Sequence, residues 1–186
     1  MKIPDVISKT LVAWLKGKGG LQQDWKDHNR RRIQKLRSRG VSIGRDCLIL
    51  TENFSTEPYL IEIGDHVGIA GGVQFITHVG EAWVIRDECP NAQILGRIRI
   101  GNNCVIGMNA VIMPGTTIGS DCVVGANSVV KGEIPDNSVV AGNPARVIKT
   151  THELKEVLLH HPDRLDTLNL PPDLREKIIK EHFKIA

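Results

Sequence analysis

A chain of 186 residues, 41% hydrophobic and with a net charge of +3, has material for one domain plus appendages, and it holds no run of 18 apolar residues that would span a bilayer. Aromatic residues make up only 4%, which argues against a ring-filled core and for one lined by small aliphatic side chains. The charge is lopsided: residues 1–40 carry 11 Lys/Arg against 3 Asp, leaving 13 against 18 for the rest. No nucleic-acid-binding module accompanies that basic segment, so nucleic acid is not an expected partner. The N-terminus lacks the apolar stretch of a secretory leader, which places the chain in the cytoplasm on this reading.

Residues 4–16 read as an amphipathic helix with Ile7, Leu11, Trp14 and Leu15 on one face. The stretch from Gly17 to Gly20 breaks it. A second, mostly polar helix over about 21–38 ends at Gly40, and the basic segment is concentrated in Arg30, Arg31, Arg32, Lys35, Arg37 and Arg39. The first helix is expected to cover the open strand edges of the domain that follows. Peripheral contact of the basic N-terminal helices with an anionic membrane surface, at the inner face of the membrane, is the alternative. Residues 1–40 therefore form a basic helical extension, 41–149 the main domain, and 150–186 a helical tail with helices near 152–160 and 172–182.

Within the main domain an aliphatic residue returns every sixth position: Ile100, Ile106, Ile112, Ile118, Val124, Val130. Glycine usually follows it (Gly101, Gly107, Gly119, Gly125), and a small residue stands two places before it (Cys104, Ala110, Thr116, Cys122, Ser128). A period of six fits neither a helix nor a half-buried strand over that length; it is the hexapeptide signature of a parallel β-helix. Three flat faces of one hexad each make a triangular coil, so residues 18 apart stack at the sheet spacing of about 4.8 Å. The aliphatic and small residues point inward, and glycine eases the sharp corner. The same phase appears at Ile43-Gly44 with Cys47, at Ile63-Gly64, at Ile69-Ala70 and at Phe75-Ile76. Two interruptions stand out. Residues 51–60 are irregular, and residues 79–97 form an excursion, since the inward position due at 81 returns only at Ile100, removing 19 residues from the coil. Cys47, Cys104 and Cys122 fall in the small inward slot and read as buried thiols, whereas Cys89 lies outside the repeats.

Three segments carry a resemblance to the hexapeptide-repeat acyltransferases, in particular the sugar and polysaccharide O-acetyltransferases that include galactoside and maltose acetyltransferase. They are Ile63-Gly64-Asp65-His66-Val67-Gly68-Ile69 leading to Phe75-Ile76-Thr77-His78, the repeat block 100–130, and Ala141-Gly142-Asn143-Pro144-Ala145-Arg146-Val147-Ile148-Lys149. The resemblance implies a left-handed prism, a homotrimer, and acetyl-CoA as co-substrate in the groove between adjacent prisms. It implies that His78 is the catalytic base. The chemistry agrees, because a sugar hydroxyl is a poor nucleophile at neutral pH, and imidazole is the side chain whose ordinary titration lies close enough to take its proton. Asn53, in an Asn-Phe pair similar to that of the sugar acetyltransferases, is implied to bind the acceptor. Glu57 is placed either to orient His78 or to bind a sugar hydroxyl, and Trp83 on the excursion is a sugar-stacking platform or a loop anchor. Many relatives have Asp after the histidine, where this chain has Val79-Gly80.

Coenzyme A is a long polyanion and needs cations at one end and amides along its length. Lys131, Arg146 and Lys149 match the family's basic positions, the turn Asn143, Pro144 and Ala145 matches its closing turn, and Gly107, Gly125 and Ala126 are candidates for the amides along the pantetheine arm. A zinc enzyme on a trimeric prism is disfavoured, because the repeats offer only His66 and His78; no metal is expected. The remaining alternatives are an N-acetyltransferase of a nucleotide-linked amino sugar and a non-catalytic trimeric scaffold.

Overall fold

A computed structural model describes residues 20–185, with side chains from residue 26 onward. The helix expected over 4–16 lies outside the described residues. The chain divides into two compact units, one of residues 28–155, the other drawing on the segments to either side. No described helix is long and apolar enough to cross a membrane.

The larger unit is a three-sided coil. Short strands visit three sheets in rotation, parallel except for the last strand of the second: one of five strands beginning at Ser42–Ile43, one of six containing Leu48–Ile49, and one of three containing Gln74–Phe75. In the middle of the coil the register is the expected 18: Ile100 opposes Ile118, Ile106 opposes Val124 and Ile112 opposes Val130. It departs from 18 where the sequence is interrupted. Ile43 lies opposite Ile63 and Ile49 opposite Ile69, two residues more than a coil. Ile63, Ile69 and Phe75 meet Ile100, Ile106 and Ile112 at a spacing of 37, one coil of 18 plus the 19 excursion residues. Near Pro135 the last coil shortens to 16, pairing Ile118 with Ile134 and Val124 with Val140.

The inward residues are those of the repeat. Ile49, Ile106, Ile112, Val130 and Val140 are fully buried, and the small slot (Cys104, Ala110, Thr116, Cys122, Ser128) is sealed as well. Burial raises the Cys104 thiol to about 11, so these cysteines act as small hydrophobes. One corner is stitched by side chains. The amides of Arg45, Asp65, Asn102 and Ser120 donate to Asp65 Oδ1, Asn102 Oδ1, Ser120 Oγ and Asp136 Oδ1 at 2.7–3.0 Å. The residues that follow (Asp46, His66, Asn103, Asp121, Asn137) take positive φ of 54–59°, which Asn and Asp tolerate best among residues with a side chain. His66 belongs to this column, its Nδ1 2.8 Å from Asn103 Oδ1; that is a structural setting.

Helix α1 (Gly20–Ser38) ends at Gly40, where φ is +98° and the amides of Gly40 and Val41 return to Arg37 and Leu36, a glycine C-cap. From Asn29 onward it closes the first coil. Asn29 donates to Cys47 O at 2.9 Å and accepts from Ile49 N at 3.0 Å, Arg32 donates to Ile49 O, Arg37 to the carbonyls of Ile43 and Gly44, and Leu36 is buried beneath. The cap expected of the first helix falls outside the described residues, and membrane contact of the basic helices is only the alternative reading of the basic cluster. Arg32 and Arg37 of that cluster satisfy backbone carbonyls at an open sheet edge, where an unpaired group is costly. At the other end Gly142, Asn143 and Pro144 turn the chain between antiparallel strands Ser138–Gly142 and Ala145–Thr150, with a cis Asn143–Pro144 bond. Helix α2 (Thr151–Leu159) opens with a reciprocal Thr150–Glu153 cap, and α3 (Pro172–Phe183) lies in the smaller unit, where His182 Nε2 meets Asp163 at 2.9 Å.

Replacing Asn29 by Ala orphans one carbonyl and one amide of the first coil at once. Destabilisation of about 1–3 kcal/mol is expected in urea unfolding; a change below about 0.5 kcal/mol would show that water replaces the cap.

Candidate active site

The site grows from the first interruption. Residues 51–57 run beside 73–78, held by side chains as much as by backbone. Thr51 Oγ1 donates to Val73 O at 2.9 Å, Phe75 N to Asn53 O at 2.9 Å, and Thr77 N to Ser55 Oγ at 3.3 Å. Phe54 and Phe75 stack at 4.5 Å between centroids, anchoring the segment in the core. The stretch that read as irregular is thus tied, bond by bond, to the strand that carries His78.

This pairing brings Glu57 to His78. Glu57 Oε2 lies 3.0 Å from His78 Nδ1 and accepts from Thr77 Oγ1 at 2.6 Å, while Oε1 accepts from Thr56 Oγ1 at 2.7 Å. The donors favour the ionised carboxyl: the hydroxyls of Thr77 and then Thr56, followed by His78, hold Glu57 down at about 2. An ionised carboxylate only accepts, so in the neutral imidazole the proton sits on Nδ1 and Nε2 keeps its lone pair. The Glu57 side chain is 16% exposed and that of His78 45%: the carboxylate is sheltered and the ring is open.

His78 is also the first residue of the excursion. His78–Val79 pairs antiparallel with Ile94–Leu95, and Gly96 N returns to Thr77 O at 2.8 Å. The excursion is thus a hairpin whose stem begins at the histidine, one residue earlier than the sequence phase indicates. Trp83 sits in the 3-10 turn Gly80–Ile85, 76% exposed, with the Arg86 guanidinium 5.6 Å from the ring centre. It anchors nothing in the core.

Asn53 is exposed, four residues before Glu57 on the same segment. The coenzyme candidates stand elsewhere on the coil, and no hydrogen bond or ion pair among the described residues joins them to His78. Lys131 is exposed, just before Gly132 at φ +82°, and Arg146 is exposed on the last strand. Lys149, on the same strand, adds its charge to the Thr150 amide and hydroxyl bonds that hold Glu153 below its ordinary value. The amides of Gly107 and Gly125 donate to Val124 O and Val140 O at 2.8 Å, within the ladder between coils. A Cβ at Gly107 would stand 2.6 Å from Ala126 N and 2.7 Å from Val124 O, so the glycine makes room for the next coil. Ala126 is exposed and its amide has no partner among the described residues. Sequence reasoning missed Thr56 and Thr77. The available signal was alternation: Phe75 inward predicts Thr77 inward, and a buried hydroxyl needs an acceptor.

Because Glu57 titrates lower in the folded chain than a free carboxyl does, the unfolded state binds the extra proton between those two values. Its contribution to stability is full above the unfolded value of 4.5 and fades as pH falls toward about 2. The difference in unfolding free energy between the native chain and Glu57→Gln is therefore expected to be level above about pH 5.5 and to shrink below it. A pH-independent difference in acid–urea titrations would contradict this.

The family profile "Bacterial transferase hexapeptide (six repeats)" matches residues 97–132. Protein CapG of Staphylococcus aureus is 48% identical over 138 residues, covering 73% of this chain and 80% of that protein. A 2,3,4,5-tetrahydropyridine-2,6-dicarboxylate N-acetyltransferase of Lacticaseibacillus casei is 51% identical over 87 residues, 44% of this chain but 36% of that enzyme. Among solved structures, a maltose O-acetyltransferase from Clostridium difficile superposes with a TM-score of 0.50 at 27% identity, covering 79% of this chain and 89% of that one. With its hexad register, its excursion rooted at a histidine and these relatives, the chain belongs to the hexapeptide-repeat acetyltransferases.

Proposed function

We propose that the chain transfers an acetyl group from acetyl-CoA to a hydroxyl of a sugar or glycan precursor, with His78 as general base. The observation that carries this reading is the Nδ1–Glu57 contact of 3.0 Å at the root of the excursion, which leaves a basic Nε2 on an exposed ring. Nε2 takes the acceptor's hydroxyl proton as that oxygen attacks the thioester carbonyl. The tetrahedral adduct collapses by breaking the C–S bond, and the imidazolium returns its proton to the departing thiolate. Glu57 stabilises the imidazolium in between and stays ionised throughout. No covalent enzyme intermediate is needed; holding both substrates together supplies much of the remaining rate.

The other assignments follow from the family resemblance. The coil is left-handed and assembles as a homotrimer, with acetyl-CoA in the groove between protomers. Lys131, Arg146 and Lys149 face its phosphates, the Asn143–Ala145 turn closes the groove, and the Ala126 amide meets the pantetheine arm, with Gly107 and Gly125 lining the same corner. Asn53 and Trp83 contact the acceptor. The similarity to a maltose O-acetyltransferase extends over 89% of that chain, which supports a sugar hydroxyl as acceptor. The N-acetyltransferase relative is matched over 36% of its length, and it keeps an amine acceptor as the second reading.

Thiol release from acetyl-CoA, followed with a panel of sugars, amino sugars and nucleotide sugars, tests the proposal. Turnover is expected with a hydroxyl acceptor and a loss of roughly 10²–10⁴ in kcat for His78→Ala, without change in fold. Turnover by His78→Ala within tenfold of the native chain would remove His78 as base, and turnover restricted to amines would replace the acceptor class.

A further inference from the structure

We propose that Thr77 is a positioning residue for this reaction: its buried hydroxyl fixes the carboxylate that holds the catalytic imidazole. The inference rests on the reading of His78 as base. Thr77 is fully buried, and each of its polar groups has a different partner. Its amide donates to Ser55 Oγ at 3.3 Å, its carbonyl accepts from Gly96 N at 2.8 Å, and its hydroxyl donates to Glu57 Oε2 at 2.6 Å. One residue thus joins the segment 51–57, the strand bearing the base, and the returning limb of the excursion.

The hydroxyl has a task that packing does not explain. A glutamate reaches its partner through three rotatable bonds, and Oε2 is the oxygen that faces Nδ1. A second short bond to the same oxygen, from a donor closed to solvent, fixes that atom rather than the carboxylate as a whole. Bonds to an ionised acceptor are about twice as strong as neutral ones, and 2.6 Å is in their range. Thr56 holds the other oxygen at 2.7 Å but is exposed, so water can replace it. Thr77, with a relative exposure of 0%, is closed to bulk solvent.

Thr77→Val deletes the hydroxyl at nearly constant volume, and Thr77→Ser keeps it. For Thr77→Val, kcat is expected to fall about tenfold to a hundredfold with both KM values within about twofold, and Thr77→Ser is expected to restore most of kcat. The double variant Thr77→Val/Glu57→Gln is expected to be no slower than Glu57→Gln alone, because the two act as one unit. Thr77→Ala serves as the second hydroxyl-free variant should Val fail to fold. The proposal is overturned if Thr77→Val keeps native kcat, if Thr77→Ser is as slow as Thr77→Val, or if the two lesions multiply. It is also overturned if both hydroxyl-free variants unfold while Thr77→Ser folds, since the hydroxyl would then serve the fold. Any of these with His78→Ala still inactive leaves the base assignment standing; an active His78→Ala removes it independently.

Discussion

Each coil hangs from the next by backbone hydrogen bonds that leave no room for a register error. Gly101, Val105, Gly107, Val111 and Met113 donate in succession to Ile118, Cys122, Val124, Ser128 and Val130. The offset is constant, so every slot must repeat its residue type one coil on. A large side chain in the small slot or a Cβ at Gly64, which would stand 2.7 Å from Gly101 O, collides with the neighbouring coil and not merely with a local turn. The same constraint creates two open edges. Helix α1 closes the first with Asn29, Arg32 and Arg37, and the antiparallel strand Ala145–Thr150 covers the last.

The reactive geometry arises where this regularity lapses. On the third face of the first coil, Thr51 and Ser55 side chains take over part of the pairing with 73–77. The two residues added there leave Glu57 free of the strand and beside the histidine. On the next coil the chain departs at His78 and returns through Gly96. Two irregularities, adjacent in space, assemble a carboxylate and an imidazole 21 residues apart in sequence on a rigid stack. A rigid stack is what lets hydrogen bonds of 2.6–3.0 Å fix a proton's position.

The parts of this arrangement that repeat were legible in the sequence. Ile100 through Val130 gave the faces, and the missing phase between Phe75 and Ile100 gave the length of the excursion, because inward residues have one slot each. What rests on single bonds was not legible. Nothing in the spacing of 51–60 signals that Thr51 and Ser55 replace ladder groups, and Arg32 and Arg37 look like solvated charge until an open edge is placed beside them. Gly107 makes room for the neighbouring coil, and a glycine that does so and one that makes room for a ligand are written identically. Thr77 was readable as buried, but its acceptor lies 20 residues back, across the irregular stretch.

The reading turns on which imidazole nitrogen carries the proton before substrate arrives. Glu57 is fully ionised at neutral pH, held at about 2 by its donors, and it faces Nδ1. The ¹⁵N chemical shifts of His78 in the native protein at neutral pH report this directly. A protonated Nδ1 with an unprotonated Nε2 is the predicted result; a proton resting on Nε2, with Nδ1 bare, would contradict it.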